Sequence, residues 1–287
     1  MAKKYDPVRD PDPRESMRRL INMALIAKDL DPERFGHNLA WYPRGRDTVN
    51  DISAEHGWTQ RQGVGITAAL SPNRDWDENV KAVHDLGRVV DDVDFHKEWQ
   101  EQVPGQERTQ GLSDYLSGTS LKRSTNNDIS RALAIHYGRD YEDVLGHPKT
   151  HAFAENFWKP TTSDRVTVDG RHADLVADSM RPWQSARGIG GQRLKDGGPP
   201  QRYGEYEDIT RGAHAALQEA DPGTFGPVIP SATQGALWEF AKVLERRGDM
   251  SFQGDRRIGQ SYEARLDLYK DGNLSRNDHF SIGLAQP

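Results

Sequence analysis

Residues 165–176 read RVTVDGRHADLV. Three apolar or β-branched residues, Val166, Thr167 and Val168, run straight into the carboxylate of Asp169, and a helical pattern carrying Arg171 and His172 follows. The first part predicts a short, buried, strand-like approach, and the second predicts a helix over 170–180. An acid at that junction stands at a helix N-terminus, where it either caps the helix or does chemistry.

Outward from this stretch the chain reads as mostly helix. Residues 13–31 place Met17, Leu20, Ile21, Ala24, Leu25 and Leu30 at spacings near three and four, one apolar helix face, with Ser16 or a neighbour as its cap. The same pattern recurs over 47–55 and 60–70. Pro72 breaks the latter, and Asp75 or Asp77 can cap a helix from about 78 to 90. Further helices fit 93–102, 127–137, 149–158, 205–219 and 231–247. Breaks rich in Gly and Pro fall near 104–112, 188–200 and 221–230, and there is no internal repeat. Val166–Val168 is the one strand-like segment of this region, and alternation near Leu266 and Leu268 suggests a small β element close to the C-terminus. The expected layout is N-terminal helices over 1–62, a helical core over 63–247 with a basic Gly-rich loop at 181–203, and an extension over 248–287.

Composition narrows the function classes. Of 287 residues, 34% are hydrophobic and 29% charged, and no stretch reaches the roughly 18 apolar residues of a membrane span. The basic start, MAKKYDPVRDPDPRES, has no apolar core behind it, so it does not read as a secretory signal. Cysteine is absent, which removes disulfides, thiolate zinc sites, cysteine-ligated clusters and thiol nucleophiles. An intracellular, cytoplasmic protein is expected. The net charge of −6 argues against a surface that is basic all round. Between Arg181 and Arg202, however, Arg181, Arg187, Arg193, Lys195 and Arg202 face the single acid Asp196. That stretch is either a solvated loop or a contact to a nucleic-acid backbone.

Other chemistries lack their motifs. No P-loop and no Gly-x-Ser-x-Gly elbow occurs, and Gly188-Ile189-Gly190-Gly191 follows no strand, so a dinucleotide fold is not supported. His147 and His151 lie four apart, but Pro148 puts the first ahead of the helix and no third ligand stands nearby. No metal site is expected there.

Three segments in order carry the main signal: GVGITAALSPNRDWDENVKAV (63–83), DVLGHPKTHAFAENFW (143–158) and VTVDGRHADLV (166–176). In this order the chain resembles the helix-hairpin-helix DNA glycosylase superfamily, the group containing the endonuclease III and adenine-glycosylase types. Leu70, Ser71, Asn73, Asn79 and Lys81 match that family's Leu-Ser turn and the helix after it. Leu145, Gly146, Lys149 and Thr150 match its hairpin, and Val168, Asp169, Arg171 and His172 match its acid turn. Lys149 and Asp169 are 20 positions apart, close to the family's hairpin-to-acid separation. The resemblance is closer still to uncharacterised proteins encoded by phages of actinobacteria, through Ala68–Pro72 with Trp76 and Asn79, Lys149 with Phe153 and Asn156, Val166–Asp169 with Ala173, and Gln234 with Trp238. These blocks span about 63–240.

The resemblance implies a mostly α, helix-hairpin-helix bundle acting on duplex DNA with a flipped base, in a bacterial host cell. Excision requires rotating a nucleotide out of the stack, filling the gap and stabilising positive charge on the sugar. The implied roles are Asp169 for that charge, Lys149 as an amine nucleophile and Asn73 as gap-filler. Gly146, Thr150, Arg171, His172, Arg187 and Arg193 are the other expected DNA contacts. No cofactor is implied beyond a monovalent cation at the hairpin. Here the chain departs from the family: Leu145-Gly146-His147-Pro148 stands where a Gly-x-Gly hairpin is expected, and Pro148 has no N–H to donate.

Each residue also has a plainer reading. Asp169 is a simple N-cap, Lys149 a solvated first-turn lysine, Asn73 a turn residue and His172 a hydrogen-bonded structural histidine. Trp41, Tyr42, Trp58, Trp76 and Trp238 either stack on a base or fill the core. A non-catalytic nucleic-acid- or protein-binding descendant of the glycosylase fold is the alternative function.

Overall fold

The structure is a computed structural model that describes residues 12–100, 107–178 and 201–246. In chain order its helices are α1 Pro13–Leu30, α2 Pro32–Leu39, α3 Trp41–Glu55, α4 Gln60–Leu70, α5 Trp76–Val89, α6 Val93–Gln100 and α7 Gln110–Leu116. After a 3-10 turn at Ser120–Arg123 come α8 Asn126–His136, α9 Tyr141–Val144, α10 Pro148–Trp158, α11 Gly170–Val176, α12 Gln201–Ala220, α13 Pro222–Phe225 and α14 Pro230–Arg246. The chain is mostly helical, and no strand occurs among the described residues.

Local sequence sets most of the starts. Asp12, Asp31, Thr59, Asp75, Thr109, Thr125, Asp140 and Asp221 each accept a backbone N–H of the first turn they precede. Proline follows directly at Pro13, Pro32 and Pro222, where its missing N–H costs nothing. Asp12 therefore caps α1. Ser16 is buried, and its hydroxyl donates to Val176 O at 2.7 Å.

The chain divides into two compact units, one of Met1–Trp41 with Thr161–Pro287 and one of Tyr42–Pro160. The boundaries of these units fall at 41/42 and 160/161. In the continuous unit α4 is central, with α5, α8, α9 and α10 packed on it. Residues 63–70, GVGITAAL, are buried on every face, and a helix apolar all round belongs in a core. In the other unit, α1 packs on α2, α11, α12 and α14. Leu20, Met23 and Ala24 of α1 meet Tyr206, Leu217, Leu237 and Leu244 in one apolar cluster.

The strand expected at Val166–Val168 is corrected. The segment is extended and buried, but side chains of α12 satisfy its backbone. Val168 N–H donates to the Tyr203 hydroxyl at 3.0 Å, and that hydroxyl donates to Val166 O at 3.0 Å. Val166 N–H donates to Glu207 Oε1 at 3.0 Å. Buried backbone groups must be paired, and here one helix pairs them without a second strand. The C-terminal β element expected near Leu266 and Leu268 lies outside the described residues.

Candidate active site

Asp169 ends the clamped segment and opens α11. Its Oδ1 accepts His172 N–H at 2.8 Å and its backbone carbonyl accepts Ala173 N–H at 2.9 Å, so it is the N-cap, with a half-buried side chain. The far end of α11 is held as firmly. Val176 O accepts both Ser16 Oγ and Arg19 Nη1 at 2.7 Å, filling one of the carbonyls a helix end leaves open. Arg165 pairs with buried Glu207 at 2.9 Å. The acid is thus fixed in direction by contacts before and after it, as a reacting carboxylate must be.

His172 is fully buried. Thr210 donates its hydroxyl proton to Tyr206 O at 2.9 Å, so the same oxygen accepts Nε2–H of His172 at 2.8 Å. The imidazole is therefore the Nε2–H tautomer. Burial pushes its pKa down to about 4, with Asp169 opposing weakly. A neutral ring with no exposed surface presents nothing to a phosphate, so His172 packs α11 on α12.

Arg171 faces the other way. Its guanidinium lies 5.2 Å from the Trp238 ring centroid, and Lys242 Nζ lies 3.7 Å from the same ring. Trp41 meets Trp238 edge-on at 6.4 Å, and the indole N–H of Trp238 has no hydrogen-bond partner. Two cations lie over one aromatic ring, and Lys242 is also paired with Glu239 at 2.5 Å. Lys242 in this role, like Tyr203, Glu207 and Thr210 around the acid, was missed in the sequence, whereas Trp41 and Trp238 were named there as stacking candidates. The only signal for the missed residues was the late Gln234–Trp238 block.

Asn73 lies in the continuous unit, exposed in the turn between α4 and α5 at φ 59°. Asparagine tolerates this left-handed conformation better than most residues. The turn is rigid around it. Ser71 Oγ donates to Ala68 O at 2.9 Å, Arg74 donates to Ser120 O and Ser124 Oγ at 2.8 Å each, and buried Asn79 donates to Thr67 O at 3.1 Å.

At α10, Gly146 is exposed and Lys149 half-buried, while Thr150 is buried and donates to His147 O at 3.0 Å. His147 is the N-cap, and its Nδ1 accepts Lys149 N–H at 3.3 Å. Burial, aided by Lys149 and Arg131, lowers the His147 pKa and keeps that nitrogen an acceptor. His151 is 6.1 Å from Tyr141, ring to ring. Lys149 and Asp169 belong to different units. Arg187 and Arg193 lie outside the described residues.

Residues 8–238 match a family of unknown function, DUF7178. The chain belongs to that family. The DUF7178 match includes Asn73, Lys149, Asp169 and Trp238, and so draws on both units. Comparison with curated proteins and with solved structures finds no match for this DUF7178 chain.

Proposed function

We propose that the chain is a helix-hairpin-helix-type DNA glycosylase that cleaves the N-glycosidic bond of a modified or damaged base. The observation that carries this reading is Asp169, a half-buried carboxylate aimed by a backbone that Tyr203 and Glu207 hold. As the C1′–N bond breaks, its electron pair leaves with the base and positive charge builds on the sugar. A fixed carboxylate stabilises that charge with no reorganisation at the moment of reaction. Water adds to C1′ and its proton balances the departing base. If the Lys149 amine attacks instead, it forms an iminium that supports strand cleavage. Asn73, exposed on a rigid turn, suits the gap left by the flipped nucleotide. Arg171, over the Trp238 ring, supplies positive charge toward the DNA backbone. No helix among the described residues is long and apolar enough to cross a membrane, and none of these roles needs one.

One observation favours a second reading, a non-catalytic nucleic-acid- or protein-binding descendant. His147 Nδ1 takes the Lys149 N–H, and Pro148 has none, so the start of α10 offers a phosphate fewer free donors than a glycine hairpin. Borohydride trapping on duplexes bearing an abasic site or a panel of modified bases separates the two. Glycosylase chemistry with an amine gives a covalent adduct that Lys149→Ala abolishes. Retained DNA binding with neither adduct nor base release selects the binding protein.

A further inference from the structure

The end of α3 and the middle of α5 bring Glu55, His56 and His84 together, with one donor atom from each within 4.8 Å of the others. α3 stops in a glycine-capped turn. Gly57 takes φ +67°, its N–H donates to Ala54 O at 3.4 Å, and Trp58 N–H donates to Ser53 O at 2.8 Å. This paired pattern is the Schellman cap, which needs a left-handed residue at that position and fixes the two residues before it. Glu55 and His56 are those residues.

The His56 ring is wedged. On one side stands Trp58, 5.1 Å away between ring centroids, itself buried and anchored by its indole N–H donating to His136 Nδ1 at 2.9 Å. On the other side is Gly87 of α5, where a Cβ would come 2.4 Å from His56 Cγ. Only glycine lets the imidazole lie so close to α5. His84 stands one turn earlier on the same helix, its ring 5.7 Å from that of His56.

Both imidazoles aim a nitrogen at one carboxylate. His84 Nδ1 is 3.4 Å from Glu55 Oε2, and His56 Nε2 is 3.7 Å from Glu55 Oε1. Both nitrogens are shut off from solvent, and neither has a hydrogen-bond partner. Leaving a buried polar atom unpaired costs about 1–3 kcal/mol, so two facing one acid are not explained by packing. The gaps are long for hydrogen bonds. The 3.4 Å gap equals the edge of a tetrahedron of donors around zinc, about 3.3–3.4 Å for bond lengths of about 2.0–2.1 Å, and the 3.7 Å gap needs a shift of a few tenths of an ångström to close on the same ion.

We propose that Glu55, His56 and His84 form a binding site for a divalent transition-metal ion of the class that favours imidazole, Zn²⁺ foremost. Two neutral imidazole nitrogens with one carboxylate suit zinc, whereas calcium and magnesium prefer oxygen throughout. Glu55 is the most exposed of the three and marks the path by which the ion enters, leaving its remaining position for water. The ion ties the end of α3 to α5 and satisfies both stranded nitrogens. Arg88, the nearby cation, is drawn toward Asp85 at 3.3 Å.

The test uses the full chain, stripped with a chelator and titrated with Zn²⁺ by calorimetry and with Co²⁺ by its visible absorption. One ion per chain is expected, with Co²⁺ bands of a four-coordinate nitrogen–oxygen site and a rise in melting temperature with added Zn²⁺. Glu55→Ala and His84→Gln each weaken binding about tenfold or more. Glu55 is exposed, so its variant reads the site even if His84→Gln does not fold. Absence of stoichiometric binding overturns the proposal. Binding that survives Glu55→Ala undiminished, or that is lost in His151→Gln, does so too.

Discussion

Asp169 is both an N-cap and the proposed reacting carboxylate, and two substitutions separate these duties. Asn caps a helix as well as Asp does, whereas Ala loses about 1 kcal/mol of capping. Asp169→Asn is expected to keep the melting temperature while abolishing base release, and Asp169→Ala is expected to lose both. Equal activity of Asp169→Asn and wild type in a base-release assay would remove the catalytic role. His172 gives a pH signature instead. A free imidazole takes up a proton near 6.5 and this one only near 4, so between those values the unfolded chain binds a proton that the folded chain refuses. Stability is complete above pH 6.5 and falls as pH drops toward 4, by on the order of 3 kcal/mol from this group. His56, His136, His147 and His214 are shifted down by burial too, so their slopes add in the same direction. Urea melts at several pH values check this: His172→Gln should lose stability at neutral pH and show a shallower acid slope. An unchanged slope counts against it. The sequence allowed both the DNA contact and the structural histidine for His172. Thr210, which decides between them, lies 38 residues downstream and leaves no mark near the motif.

At the scale of elements, α12 governs the site from a distance. Tyr203→Phe removes one hydroxyl and leaves Val168 N–H and Val166 O unpaired, a loss of about 1–3 kcal/mol. Because the freed segment carries Asp169, turnover is expected to fall more than DNA affinity, which single-turnover kinetics beside binding measurements would show. Equal losses in both would place Tyr203 outside the positioning of the acid. In the continuous unit, α4 admits its neighbours by lacking side chains. A Cβ on Gly65 would come 2.7 Å from Tyr141 Cβ and 3.1 Å from Ile135 Cγ2. Gly65→Ala should overpack by about 1–3 kcal/mol, of which better helix propensity returns at most about 1. A melting temperature at or above wild type would refute this. The long helices were legible because 3.6-residue periodicity recurs along them, and at α5 the Asp75 cap agrees with it. The strand expected at Val166–Val168 failed because three β-branched residues report burial and extension, not what pairs the backbone. Short helices such as α7, α9 and α13 hold too few residues for a period to register.

At the scale of the molecule, one unit is discontinuous, built from residues before Tyr42 and after Pro160. Composition hides its first boundary, because only Ala40 separates α2 from α3 and no proline- or glycine-rich linker marks the change. The candidate residues fall in three ordered blocks of sequence, and the family match covers residues 8–238. The Glu55, His56 and His84 cluster was not legible, since its members come from adjacent positions and one 28 residues later with no ligand-spacing motif between them.

Asp169-dependent cleavage of a glycosidic bond is tested most directly by chromatographic detection of free base released from a panel of duplexes carrying modified bases. Wild type is expected to release at least one base, and Asp169→Asn, folded and still bound to the same duplex, is expected to release none. Release undiminished in Asp169→Asn, or no release by wild type from any duplex it binds, would contradict that expectation.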